Sequence, residues 1–193
     1  PAKSYAARGE DLDELFRAVA DLRVLRYRPR VRPGEPRAEP VAFHPYAMVV
    51  HDGSIVVLGV RAARARADAD VEIVPFESMT EIRTSETEHF ELPETFDSSA
   101  WVHGDLGLGR PRGRFIVEFD ARVADEVKTR RMHPQQRIAT APDGRVRVSL
   151  PLVDPRAAIA FILSWGDAAR VVEPPELVAE VGSILARAAS RYE

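Results

Sequence analysis

The chain has 193 residues, of which 45% are hydrophobic and 30% charged, with a formal net charge of −3. That length suits one large domain or two small ones, and the apolar content excludes wholesale disorder. There is no cysteine, which excludes disulfides, thiolate metal sites and cysteine nucleophiles. No apolar run approaches the roughly 18 residues of a membrane span, and the first residues lack the apolar stretch of a secretory signal, so the sequence reads as cytoplasmic and without a membrane partner.

In chain order, residues 10–22 place Leu12, Leu15, Phe16, Val19 and Leu22 at helical spacing, with Asp11 able to cap the first turn. Residues 24–30 read as a strand that runs into the loop RPRVRPGEPRAEP. Residues 41–50 and 55–60 are apolar runs separated by His51-Asp52-Gly53-Ser54, and an Asp-Gly pair supplies the positive φ angles of a tight hairpin. Short strands at 71–74 and 81–83 flank a turn or short helix at 76–79. One helix followed by several short strands suggests a small β-barrel.

Residues 90–112 hold Pro93, Pro111, Gly104, Gly107 and Gly109 with no sustained period, and mark a domain boundary; Trp101 within them predicts that part of the segment packs on a domain. Beyond it come a strand at 114–119, a helix at 121–129, and strands at 137–141 and 145–150 joined across Pro142-Asp143-Gly144. A helix at 155–165 begins behind Asp154 as cap and carries Ala158, Ile159, Phe161, Ile162 and Trp165 on one face. A strand at 170–172 and a helix opened by Pro174-Pro175 complete the order βαββαβα, that of a ferredoxin-like sandwich with an added helix. The fold class expected is therefore α+β. Its parts are a small barrel domain with an N-terminal helix over residues 1–92, a linker over 93–112 and a ferredoxin-like domain over 113–193.

Charge is unevenly distributed. Lys3 and Lys128 are the lysines among 27 basic residues, so the basic side chains are nearly all guanidinium groups. Arg23, Arg26, Arg28, Arg30, Arg32 and Arg37 form a basic stretch with one acid, Glu35, whereas eleven acidic residues between 67 and 108 face only Arg83. Such segregation can guide an anionic ligand to one face, or it can be solvated charge.

The segments YRPR, EPVAFHPYAMVVHDGSIVVLGV and EIVPFESMTEI, with Phe90, resemble in spacing the WYL domain, an SH3/Sm-like barrel. RFIVEFDARVADEV, RRMHPQQ, PDGRVRVSLPLVD, FILSWGDAARVVEPPEL and the closing RYE are similar in order and spacing to the C-terminal extension that follows WYL domains. Together these segments run from about Asp11 onward. The resemblance implies the sensing half of a bacterial transcriptional regulator. In such proteins a winged helix-turn-helix, not contained in this sequence, binds duplex DNA, the WYL domain senses single-stranded DNA or another nucleotide species, and the extension dimerises or transmits the signal. The sequence departs from the family where Ile55-Val56-Val57 replace the naming Trp-Tyr-Leu and Ser78 replaces a late arginine, which weakens a stacking pocket.

Two basic groups stand out. Arg61, Arg64 and Arg66 follow the 55–60 strand, either as phosphate contacts at the barrel mouth, where Tyr46 is a candidate lining residue, or as a solvated loop. Arg130, Arg131, His133 and Gln135, with Gln136, cluster at a helix-to-strand turn, as a nucleic-acid or subunit contact or as a capped helix end. The histidines 44, 51, 89, 103 and 133 show no metal-ligand spacing, and no nucleophile elbow or P-loop is present. The expectation is a homodimer that is not an enzyme, without cofactor or metal, whose ligand is single-stranded nucleic acid or a nucleotide-like anion. The alternative is an interaction module with no pocket ligand.

Overall fold

Alternation of apolar and polar residues gives two separate antiparallel sheets in the computed structural model, which describes residues 4–65 and 70–192. The chain is α+β and divides into two compact units, Pro1–Ser98 and Ser99–Glu193, each with its own core. Among the described residues no helix is long and apolar enough to cross a membrane.

In the first unit, helix α1 (Gly9–Ala20) precedes strands β1 (Arg23–Pro29), β2 (Val41–His51), β3 (Ser54–Arg61), β4 (Glu72–Pro75) and β5 (Met79–His89). The strand order is β4-β3-β2-β1-β5. The hairpin forms at the expected place: Asp52 and Gly53 both take positive φ, 47° and 70°, and His51 pairs with Ser54. The expected closed barrel does not form. Closure needs a ladder between β4 and β5, yet β4 pairs with β3 and β5 with β1, so the sheet is open. Four residues of β4 supply too few backbone groups to serve two neighbours along a useful length.

α1 covers one face of this sheet with Leu15 and Ala18, which meet Leu25, Tyr27, Phe43, Val57, Phe76, Met79 and Ile82. The stripe centres on Leu15, with Leu12 and Val19 flanking it. Phe16, about 100° around the helix from Leu15, falls outside the stripe and is 63% exposed, against the sequence expectation. Asp11 does not cap the helix either. It accepts from Arg8 Nε and Nη2 at 2.9 and 2.8 Å, and Arg8 donates onward to the carbonyls of Phe76 and Met79 at 3.0 and 2.7 Å. Its guanidinium also lies 4.0 Å above the Phe76 ring, so the start of α1 is tied to the start of β5 rather than to itself.

β2 carries a bulge. Pro45 pairs with Gly59 and Ala47 with Leu58, which leaves Tyr46 as the extra residue. Phe43 and Met48, an odd number of positions apart, therefore both pack with the α1 core, while Tyr46 turns to a second cluster with Val60 and Phe90. Pro45 has no N–H to give the ladder, and a bulge is where a strand tolerates one. Opposite it, Gly59 is obligatory: a Cβ there would lie 2.2 Å from the His44 carbonyl and 2.6 Å from the Phe43 ring.

The second unit contains β6 (Arg114–Phe119), α2 (Ala124–Thr129), β7 (Arg137–Thr140), β8 (Val146–Pro151), α3 (Pro155–Leu163), β9 (Ala169–Glu173) and α4 (Pro175–Ala189), in the order βαββαβα. Its sheet runs β7-β8-β6-β9. Phe115, Val117 and Phe119 alternate inward with Val146, Val148 and Leu150, and the helices supply Val127, Ala158, Ile159, Ile162, Leu177 and Val181 to the same core. Asp154 caps α3 by accepting from the Arg156 N–H at 2.9 Å. Residues 99–112 belong to this unit: Leu106 joins its core, Trp101 is buried, and Val102 bridges to Leu108.

Gly59→Ala is expected to lower the stability of the first unit by about 2–3 kcal/mol, since the added methyl must push apart two paired strands at the bulge. Urea titration followed by circular dichroism measures it.

Candidate functional site

The bulge at Tyr46 places that ring in a recess of the first unit. His44 and Tyr46 on β2, Ala65 after a 3₁₀ turn (Ala62–Arg64), and residues Phe90, Glu91, Leu92, Pro93 and Glu94 line a cavity of about 460 Å³. It is an aromatic recess: His44 stacks on Phe90 with ring centroids 4.8 Å apart and 7° between planes, and Tyr46 meets Phe90 at 5.8 Å and Phe96 edge-on at 5.1 Å. Burial pushes the Tyr46 hydroxyl up and the His44 imidazole down from their ordinary values, so both rings stay neutral near pH 7.

The arginines expected at its mouth divide. Arg61, at the end of β3, donates from Nε to Glu72 at 3.2 Å. Arg64 ends the 3₁₀ turn and is exposed, next in sequence to the lining residue Ala65. Arg66 lies outside the described residues. The positions that replace the family's Trp-Tyr-Leu and arginine are structural: Val56 and Val57 are buried, and Ser78 Oγ donates to the Pro75 carbonyl at 2.6 Å.

The second predicted cluster is also split. His133 and Gln135 line a cavity of about 740 Å³ with Ser99, Val102, His103, Arg110 and Met132. Arg130 turns instead to Glu126 at 3.5 Å and lies 5.6 Å above the Trp165 ring, as a cation closing the end of α2, and Arg131 is exposed. Gln136 braces the turn, its side-chain oxygen accepting from the Met132 and His133 N–H groups at 2.7 and 3.2 Å.

His103, separated by 30 residues, completes the arrangement. The Gln135 N–H donates to His133 Nδ1 at 3.0 Å, which leaves the His133 proton on Nε2. That proton points at His103 Nδ1, 3.0 Å away, and His103 in turn directs Nε2–H to the carbonyls of Ala100 and Gly109 at 3.1 and 2.9 Å. His133 holds one proton, and a second on its Nδ1 would face the Gln135 N–H. Burial, then unfavourable electrostatics with His103 and Arg114, hold His133 below the usual histidine range. Among the described residues no group of three or more His, Cys, Asp or Glu is placed to hold a metal ion.

A third cluster escaped the sequence reading. Glu118 on β6 is 3% exposed, although its strand position alternates away from the core. Its Oε1 accepts from Arg145 Nη1 at 2.7 Å and from Arg170 Nε and Nη2 at 3.0 and 2.8 Å, and Oε2 accepts from Arg147 Nε at 2.8 Å. The guanidinium groups themselves shield the carboxylate. Chiefly the Arg147 hydrogen bond, against the cost of burial and with Arg170 assisting, holds Glu118 below the usual carboxylate range.

With this geometry in view, residues 111–189 match the WCX domain. No curated protein matches the chain. Among solved structures, the chain is similar to proteasome accessory factor B/C (PafBC) of Arthrobacter aurescens, with 21% identity and a TM-score of 0.44 over 94% of this chain and 27% of that one. It is also similar to a CRISPR Cas-related protein, with 9% identity and a TM-score of 0.58 over 94% of this chain and 51% of that one. At that identity the second likeness is one of fold alone. The chain spans about a quarter of the length of the first protein and about half of the second. The second unit is thus the part of the chain that carries a family match, and it holds both the histidine pair and the Glu118 cluster.

The histidine pair sets a pH dependence. Because the folded chain holds His133 below its unfolded value of about 6.5, its contribution to stability is complete above that pH and is lost as pH falls through the folded midpoint. Thermal melts are expected to drop on acidification from about pH 7.5 to about pH 5.5, and His133→Gln to remove this His133 contribution, leaving a shallower decline than in the wild type.

Proposed function

We propose that the chain is the effector-sensing and dimerisation region of a bacterial transcriptional regulator of the WYL type, non-catalytic and without a cofactor. The observation that carries this reading is the WCX match over residues 111–189, in the position where the sequence resembles the extension that follows a WYL domain. The strand order β7-β8-β6-β9 supports a ferredoxin-like reading of that unit. The order β4-β3-β2-β1-β5 supports reading the first unit as an open relative of the SH3/Sm-like barrel.

The recess around Tyr46 favours a ligand with a flat ring, and a negative charge on it would be met by exposed Arg64 beside the recess and not by the lining, which includes Glu91 and Glu94. Phe90, His44 and Tyr46 offer ring faces and edges, and Arg64 immediately precedes the lining residue Ala65. A nucleotide-like anion or a short single strand meets both demands. Duplex DNA would be read by a separate N-terminal domain. For the dimer, α4 presents Val178 and Leu185, seven residues apart and both exposed, on one helical face with Gly182 between them.

A second reading is favoured by buried Val56 and Val57 and by the internally bonded Ser78: an interaction module with no pocket ligand. Titration with the dinucleotide pTpT followed by NMR separates the two. The sensing reading expects saturable shifts at His44, Tyr46 and Phe90 that vanish in Tyr46→Ala; the interaction reading expects none. The dimer is tested by light scattering of purified protein. Val178→Glu with Leu185→Glu is expected to give a monomer, and an unchanged mass would remove α4 from the interface.

A further inference from the structure

We propose that the open face of the second unit's sheet binds the phosphodiester backbone of a nucleic acid through arginines that Glu118 holds in place, a site separate from the Tyr46 recess and not dependent on the sensing reading. The argument begins with alternation. Phe115, Val117, Phe119, Val146, Val148 and Leu150 point into the core with the helices, so their neighbours occupy the opposite face. Register makes that face explicit. Glu118 lies beside Arg147 on β8 and Arg170 on β9, and Arg147 lies beside Ala139 on β7. One pleat along, Ile116 lies beside Ser149, and Ser149 beside Arg137. Arg145 reaches the face from the hairpin, and Arg114 lies along it, bonded to Ser149 Oγ at 2.7 Å and to the Gln135 carbonyl at 2.9 Å.

Five arginines therefore share this face with Glu118, three of them bonded to it, with Asp143 beside Arg145 at the hairpin and Glu173 opposite Ile116 on β9. At one end, Glu118, Arg145 and Arg170 share a cavity of about 260 Å³ with Asp120 and Asp167, the latter paired with Arg122 at 2.6 Å. Arg137 and Arg147, on β7 and β8, are not part of its lining. Glu118 consumes one N–H of Arg147 and two of Arg170. Both Nη groups of Arg147, the Nη1 of Arg170 and the whole Arg137 guanidinium meet no acceptor among the described residues. Arg147 and Arg170 are 56% and 66% exposed, so these donors face water.

The chemistry selects the occupant. A guanidinium fixed by its Nε edge presents its remaining N–H fork outward, the geometry that meets a phosphate in bidentate fashion. Residues Arg137, Arg147 and Arg170 sit on three different strands, spread across a sheet whose neighbouring strands are about 4.8 Å apart, so the donors extend over a length that several linked phosphates cover and a single anion does not. Ile116, Ala139, Ser149 and Glu173 lie among the arginines, and no aromatic side chain occupies these register positions to stack a base. Binding on this face therefore tracks backbone charge and ignores base identity.

Fluorescence anisotropy of the full chain with labelled oligothymidylate and oligodeoxyadenylate of about 12 nucleotides tests this. Both are expected to bind at about 50 mM salt with affinities within about twofold of each other and a log–log salt slope near −2, from about three phosphate contacts. Arg147→Ser with Arg170→Ser, both at exposed positions, is expected to weaken binding at least tenfold and to flatten the slope by about 1.4. The paired lysine substitutions keep the slope and lose part of the affinity, and the Tyr46→Ala background, in which the recess of the other unit no longer contributes, retains binding that depends on Arg147 and Arg170. The proposal is overturned by any of four results: no binding of either oligonucleotide, loss of binding in Tyr46→Ala alone, or, in the Tyr46→Ala background, a strong preference between the two oligonucleotides or binding that the double serine substitution leaves unweakened with unchanged melting. Loss in Tyr46→Ala alone would instead favour the aromatic recess.

Discussion

Much of the second unit's surface character follows from one carboxylate. Glu118 occupies a position that strand alternation turns away from the core, where an exposed glutamate would ordinarily be solvated and of little energetic consequence. Here three guanidinium groups from β8, β9 and the hairpin that joins β7 to β8 enclose it, and it accepts four hydrogen bonds. Without that negative charge, Arg145 and Arg147 would face Arg170 across β6 with like charge unscreened. With it, the face keeps an excess of positive charge yet has ordered donors, so the loss of rotamer freedom that a ligand would otherwise impose has already been met within the fold.

The first unit uses a different device. There the controlling constraint is a single extra residue in β2, which keeps Phe43 and Met48 on the α1 core and sends Tyr46 to Phe90 and Phe96. A regular strand of the same composition would bury its apolar side chains with less distinction between its faces and leave no recess. The two units thus offer contrasting surfaces, an aromatic recess with Glu91 and Glu94 in its lining and a sheet face rich in arginine.

What could be read from sequence follows physical range. The hairpin at Asp52-Gly53, the cap at Asp154 and the alternation at residues 114–119 are local: turn chemistry, a side chain reaching two residues ahead, and a period of two fix them. The boundaries of β5 were not legible, since MTEIRTSETEH is too polar to alternate; its edge is satisfied by Glu14, which accepts the Thr84 N–H at 2.6 Å, and by Arg23, which donates to the Glu86 carbonyl at 2.7 Å. Asp11 has the residue type and spacing of a cap and serves Arg8 instead, because Arg8 has two carbonyls to reach. Among the candidate site residues, His133 and Gln135 were found but their partner His103 was not. Arg145, Arg147 and Arg170 were hidden among many other arginines, because nothing in sequence says that they share a carboxylate 27, 29 and 52 positions away.

The central claim is that Glu118 is ionised and held by its arginines. The most direct measurement is its own titration, followed through the side-chain carboxyl carbon by NMR. A midpoint clearly below the usual glutamate value of about 4.3, rising toward it when Arg147 is replaced by serine, is the result this account predicts. A midpoint at or above the ordinary value, unmoved by that replacement, would contradict it.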